Sequence, residues 1–162
     1  MGEQHRYQVR FDWGVGGATA VAADADVLVW IDALVPSPAP LDELPTGPAV
    51  VETGLAGAAA TAQWILDLQE ARLQRTSVAL VAAGAARGSG LRFAAEDLLA
   101  AGAVADALEA RGIDAMSPEA AVADAAYRTL GRAASSLFAA VTGSGEPNPA
   151  GPVVRRPHPE QG

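Results

Sequence analysis

The chain contains no cysteine and no lysine among its 162 residues. Without cysteine it has no disulfide framework and no thiolate nucleophile, and the common zinc sites that use cysteine are excluded. Without lysine, the phosphate-binding P-loop is excluded as well, because that loop needs a Lys after its glycines. We expect a cytoplasmic location for a protein with this cysteine usage.

Histidine and aromatic residues are also scarce. His5 and His158 lie near the two ends of the chain, in arms that we expect to be disordered, so neither is assigned a role as general base. No Gly-x-Ser-x-Gly motif is present, and a serine triad would lack a core histidine as its base. We expect the three tryptophans, Trp13, Trp30 and Trp64, to anchor or shield the core.

The balance of charge is acidic, with a formal net charge of -8 and eleven basic residues that are all arginines. A nucleic-acid partner is not expected, because such binding needs clustered cations that displace phosphate counterions. No apolar run approaches the roughly 18 residues of a membrane-spanning helix, and the first residues form no apolar signal stretch. We therefore expect no membrane partner either.

Alternating strand and helix patterns predict a single α/β domain, which suits a chain of this length. Strand patterns cover residues 7–11, 27–35, 49–52 and 77–83. Helical patterns cover 54–73, 92–111 and 117–141, the last predicted as two helices that meet near Leu130. This order predicts a three-layer α/β/α fold with a mostly parallel sheet. We assign residues 1–142 to this domain and 143–162, rich in Gly and Pro, to a disordered tail.

Three carboxylates are the candidate chemical site. Asp32 lies near the end of the most apolar strand, where a desolvated charge needs a partner, and Glu96 and Asp97 lie near the start of a helix. Ligands of parallel sheets bind beyond the carboxyl ends of the strands, and a group of carboxylates there suits Mg²⁺. The alternative is that Asp32 caps a strand end, and that Glu96 and Asp97 form an ordinary acidic first turn.

The loop AAGAARGSG, which precedes that helix, is a candidate phosphate site. Its glycines let backbone N–H groups face an anion, and its arginines supply charge-assisted hydrogen bonds. We therefore assign phosphate binding to Gly84, Arg87 and Arg92. GVGG at Gly14 to Gly17 does not fit the dinucleotide-binding pattern, because it precedes the central strand and does not follow it.

An ordered set of five sequence blocks resembles the 2-phosphosulfolactate phosphatase family from about Tyr7 to Gly145. The blocks are YQVRFDWG, VLVWIDAL, VALVAAG, LRFAAEDLLAAGAV and SPEAAVADAAY. The resemblance implies an α/β/α fold and the Mg²⁺-dependent hydrolysis of a small acidic phosphate monoester. It implies Asp32 as the catalytic carboxylate and Glu96 and Asp97 as metal ligands. Which carboxylate acts as nucleophile or base stays open.

The chain departs from that family in several places. After Asp32 the family continues into a Ser- and Thr-rich helix start, whereas here Pro36 and Pro38 prevent a helix and its anion-binding N–H groups. An Arg-Asn pair of the family is replaced by Ala56-Gly57, and the family's Asn-Gly-Ser loop has no counterpart. A second interpretation is therefore a non-catalytic descendant that binds a small anion or a protein. A third is a homo-oligomer built on the apolar helical faces AAATAQW and EDLLAAGAV.

Overall fold

The computed structural model describes residues 3–34, 38–142 and 151–161. Its seven strands are β1 (Val9–Trp13), β2 (Val27–Ile31), β3 (Ala49–Thr53), β4 (Val78–Ala82), β5 (Ala85–Arg87), β6 (Gly90–Arg92) and β7 (Val153–Arg156). Its four α-helices are α1 (Gly14–Ala22), α2 (Ala58–Arg72), α3 (Ala95–Glu109) and α4 (Pro118–Thr142). No helix among the described residues has the length and apolar character needed to cross a bilayer.

Five of the strands form one sheet in the order β1-β4-β2-β3-β7. The first four are parallel, and β7 pairs antiparallel with β3 at the edge. The apolar runs in β2 and β4 lie at the centre and are buried along their whole length, as expected for parallel strands covered on both faces. This confirms the prediction of a mixed α/β fold with a mostly parallel sheet.

Alternate residues of each central strand enter two separate cores. On one face Val27, Val29 and Ile31 pack with residues of α2 and α3. On the other face Leu28 and Trp30 pack with α1, together with Ala39 and Leu44 of the Pro-rich segment. Helices therefore lie on both faces of the sheet, an arrangement compatible with the predicted α/β/α layers.

Three local predictions need correction. Residues 14–22 were not assigned to any element, yet they form α1 directly after β1. The loop predicted at 85–90 is part of an antiparallel hairpin made of β5 and β6. Residues 118–142 form one continuous helix where two were predicted. Its predicted start is confirmed, because the Ser117 hydroxyl oxygen accepts the N–H of Ala120 at 3.1 Å.

The expectation of a disordered tail is wrong for residues 151–161, and residues 143–150 lie outside the described part of the chain. The segment adds β7 to the sheet, and Arg155 forms an ion pair of 2.8 Å with the buried Glu52 of β3. His158, expected in a disordered arm, is only 7% exposed. Pairing with β3 outweighs the Gly- and Pro-rich composition that predicted disorder, because it satisfies backbone groups along an open sheet edge.

α3 and α4 pack closely at Gly102, and Gly102→Ala should destabilise the protein by about 1–3 kcal/mol. A Cβ atom there would overlap the carbonyl oxygen of Ala123 and lie 2.7 Å from Cβ of Tyr127. Gly16→Ala in α1 is the matched control, since its Cβ would meet nothing within 4 Å and should add up to about 1 kcal/mol through helix propensity. Urea unfolding measures both changes, and an equal response of the two variants would contradict close packing at Gly102.

Candidate functional site

The predicted site residues come together at the carboxyl edge of the two central strands. Asp32 follows β2 directly, and Gly84 follows β4, the neighbour of β2 in the sheet. Glu96 and Asp97 lie in the first turn of α3, the next helix after β4. The chain therefore places a carboxylate at the end of β2 opposite two carboxylates at a helix N-terminus.

Asp97 ties the ends of β2 and β4 together. Its Oδ1 atom accepts the N–H of Ala33 at 2.8 Å, and its Oδ2 atom accepts the N–H of Gly84 at 2.8 Å. The residue is only 2% exposed. Both carboxylate oxygens thus have backbone partners. The N–H of Gly84, predicted to face an anion, is instead donated to Asp97.

Glu96 is the least compensated member of the cluster. It is 4% exposed, and its Oε1 atom lies 3.5 Å from Nη2 of Arg92. Its Oε2 atom is buried and has no hydrogen-bond partner among the described residues. A buried carboxylate oxygen without a donor is energetically costly, so this atom marks the point where a cation would be best accommodated.

Asp32 is half-buried and is the member of the cluster that solvent reaches most easily. Its backbone N–H donates to the carbonyl oxygen of Thr53 at 3.2 Å. Its Oδ1 atom accepts the N–H of Leu34 at 3.1 Å, which closes a short turn after β2. Asp32 therefore does cap a strand end, and the same position leaves its side chain accessible at the sheet edge.

The three acids act on one another electrostatically. Burial raises the pKa of Asp97, the hydrogen bond from Ala33 lowers it, and repulsion from Asp32 raises it again. The hydrogen bond from Gly84 lowers the pKa and the charge of Glu96 raises it, with a net result of about 7. Asp97 is therefore partly protonated near neutral pH.

The hairpin of β5 and β6 borders this edge. Arg87 is exposed at its end, whereas Arg92 is half-buried and contacts Glu96. Leu91 packs on Gly84, where an added Cβ would lie 2.7 Å from the Leu91 Cδ1 atom. Gly84 also has a φ of +68°, so both backbone conformation and space require glycine there.

The end of β1 reaches the same edge and was not among the residues predicted for the site. Trp13 ends β1, and its ring stacks on that of Phe93 with centroids 4.8 Å apart. The GVGG segment does precede the central strand, but it follows β1 and begins α1. The small residues of α1 obscure its helical periodicity. The only sequence signal for this edge was the DWG turn, which follows an alternating strand pattern.

A second acidic group lies between α3 and α4, and the sequence analysis did not predict it. Asp106, Glu109 and Asp124 bring oxygens within 4.8 Å of one another. All three form ion pairs with Arg128, with distances of 3.0 Å to both Asp106 and Asp124. Because a guanidinium already occupies the centre of this group, its negative charge is compensated by the protein.

The three carboxylates at the sheet edge are not arranged as tightly as the group around Arg128. Within the described ranges, Asp106, Glu109 and Asp124 are the acidic set that meets the 4.8 Å spacing. Asp32, Glu96 and Asp97 are therefore too far apart for all three to chelate one ion as they stand. Mg²⁺ needs only one or two carboxylates, because it retains several of its waters.

The chain matches no protein family model and no curated protein sequence. The resemblance to the phosphatase family accordingly stays a prediction from the five sequence blocks. The geometry and the electrostatics of Asp32, Glu96 and Asp97 are the observations that bear on a function.

The contribution of Asp97 to stability should fall as pH rises from about 4 to about 7, because the pKa of this group rises from 3.8 to about 7 on folding. In this window the folded state binds one more proton than the unfolded state, which limits the slope to about 1.4 kcal/mol per pH unit. Relative to the native protein, Asp97→Asn should therefore become more stable as pH rises. Urea unfolding across the window, with exposed Asp67→Asn as control, measures this difference. A constant difference would contradict it.

Proposed function

We propose that the chain is a Mg²⁺-dependent phosphatase that hydrolyses a small acidic phosphate monoester. The observation that carries the proposal is the Oε2 atom of Glu96, buried and without a hydrogen-bond partner among the described residues. It belongs to a cluster in which the pKa of Asp97 is raised by burial and by its acidic neighbours. A divalent cation would relieve both the missing partner and the repulsion.

The donor set fits Mg²⁺, which prefers oxygen ligands and few carboxylates. Glu96 and Asp32 are the residues that would hold the ion. Asp97 supports them by holding the ends of β2 and β4, since Ala33 is the residue after Asp32 and donates to Asp97 at 2.8 Å. When bound, Mg²⁺ would neutralise charge on the phosphate and orient the reacting groups.

Asp32 is the carboxylate that we place at the reacting phosphorus atom. Both roles left open by the sequence, base for an attacking water and direct nucleophile, require a carboxylate that substrate can reach. Asp32 is half-buried, whereas Glu96 and Asp97 are buried. The exposed Arg87 at the end of the hairpin provides guanidinium donors for phosphate oxygens.

A second candidate is a non-catalytic descendant of the same fold that binds an anion or a protein. It is favoured by the reduced phosphate cradle. The N–H of Gly84 donates to Asp97, and Arg92 contacts Glu96. Residues 38–48, further along the chain from Asp32, contain a turn and bends and no helix. Fewer free donors are thus available for a phosphate.

Phosphate release from a panel of small phosphorylated hydroxy acids separates the two candidates. We expect turnover that requires Mg²⁺ and falls by about 100-fold or more in Asp32→Asn, the loss typical of a missing acid-base or nucleophilic group. Asp67→Asn, exposed on α2, should keep full activity. If a folded native protein hydrolyses none of the substrates, the non-catalytic candidate is favoured instead.

Millimolar Mg²⁺ should raise the thermal unfolding midpoint, because a ligand of the native state stabilises that state by mass action. At a concentration of ten times Kd, the free energy of unfolding should rise by about 1.4 kcal/mol. The shift should be larger at pH 8 than at pH 5.5, since the cation displaces the proton of the cluster. Glu96→Gln should abolish the shift, and Asp124→Asn in the second acidic group should keep it. The opposite result would move the cation to the group around Arg128.

A further inference from the structure

A cavity of about 130 Å³ lies at the opposite end of the sheet from the acidic cluster. Its lining includes His5, Arg6, Tyr7, Arg10, Arg75 and Ser77. These residues come from the segments before β1 and β4, two parallel neighbours in the sheet, or from the first residues of β1. The cavity therefore opens at the amino edge, and the carboxylates lie beyond the carboxyl edge.

Two guanidinium groups at this cavity lack a carboxylate partner. Arg10 is compensated, since its Nη1 atom lies 2.6 Å from Oδ1 of Asp24. Within the described ranges, neither Arg6 nor Arg75 forms an ion pair. Other arginines, such as Arg128 and Arg155, pair with carboxylates. Two guanidinium groups without an ion pair among the described residues therefore line one cavity of a protein with net charge -8.

A hydrogen-bond network built on the buried Gln8 holds the exposed side chain of Arg75 in position. Its Nε atom donates to Oε1 of Gln8 at 2.9 Å. Gln8 is 7% exposed, and its amide donates to Oε1 of Gln69 at 2.8 Å and to the carbonyl oxygen of Thr76 at 3.0 Å. The two Nη groups of Arg75 keep no hydrogen-bond partner within the described part of the chain, so they remain available as a fork of donors.

Several acceptors at the cavity are already occupied, although Glu70 and Asp114 line an adjoining pocket that shares Gln8 and Arg75. Arg10 donates hydrogen bonds to the carbonyl oxygens of Tyr7 and His5, at 3.1 Å and 2.9 Å. Asp26, next to Ser77, accepts hydrogen bonds from that residue and pairs with Arg72 at 2.9 Å. The hydroxyl oxygen of Tyr7 accepts a hydrogen bond from Nη2 of Arg6 at 2.9 Å. Arg6 lies over the ring of Tyr7, 4.9 Å from its centroid, which restricts its position.

We propose that this amino-edge cavity binds a small oxyanion, a phosphate or carboxylate group, through the guanidinium groups of Arg75 and Arg6. Guanidinium forks bind both kinds of group through paired, charge-assisted hydrogen bonds. The volume of about 130 Å³ corresponds to roughly four waters of bulk liquid, which is enough space for one such group. This site is independent of the proposed phosphatase activity.

Calorimetric titration with inorganic phosphate, and in parallel with acetate, tests the site. EDTA is present to remove divalent cations, and sodium chloride keeps the ionic strength constant. We expect saturable binding that weakens about tenfold or more in Arg75→Gln, the usual effect of losing a charged hydrogen-bond donor. Arg111→Gln, which removes an arginine at the end of α3, should bind normally. Binding of either anion supports the site, and the tighter one identifies the preferred group.

Two further variants keep the result independent of any folding defect in Arg75→Gln. Arg6→Gln should also weaken binding, and Glu96→Gln at the acidic cluster should leave it unchanged. Equal affinity in Arg75→Gln, Arg6→Gln and Arg111→Gln, or a titration that does not saturate, would overturn the proposal. Loss of binding in Glu96→Gln with normal binding in both cavity variants would overturn it too, because the anion would then occupy the acidic edge.

Discussion

The double hydrogen bond accepted by Asp97 is the interaction on which the carboxyl edge depends. One carboxylate joins the backbone just beyond β2 to the backbone just beyond β4, and it does so from the first turn of α3. A helix and the two central strands are therefore held by a single side chain. Because that side chain is buried, the energy of its hydrogen bonds is not diluted by competing water.

The same two hydrogen bonds also cause the electrostatic repulsion at the site. Holding Asp97 between the strand ends also holds it near Asp32 and Glu96, and burial and their charges raise the pKa of Asp97. The two backbone donors lower the pKa of Asp97, but burial, the largest cause, and the charges of its neighbours raise it more. At this edge the oxygens of Asp97 have hydrogen-bond donors, but the negative charge of the cluster is not compensated. In the group around Arg128 a guanidinium supplies the compensation.

The parts of the fold that were predicted correctly are those with a strong local pattern. The runs in β2 and β4 are apolar throughout because both faces of the sheet are covered, and Ser117-Pro118 starts α4 through its own capping chemistry. Elements with a weak local pattern were missed. α1 consists largely of glycine, alanine and valine, and the strands of the hairpin are three residues long. β7 forms only by pairing with β3 across the fold.

At the site, the amino-acid sequence was sufficient to single out Asp32, Glu96 and Asp97, since a carboxylate in an apolar strand and an acidic pair near a helix start are local signals. Their partners are not local. Asp97 meets the N–H of Ala33 across 64 residues, and no spacing in the chain announces that contact. Composition and periodicity specify which segments are buried and which residues can carry charge. Which donor reaches which acid, and which acid is left without one, follows only when the strands and helices pack together.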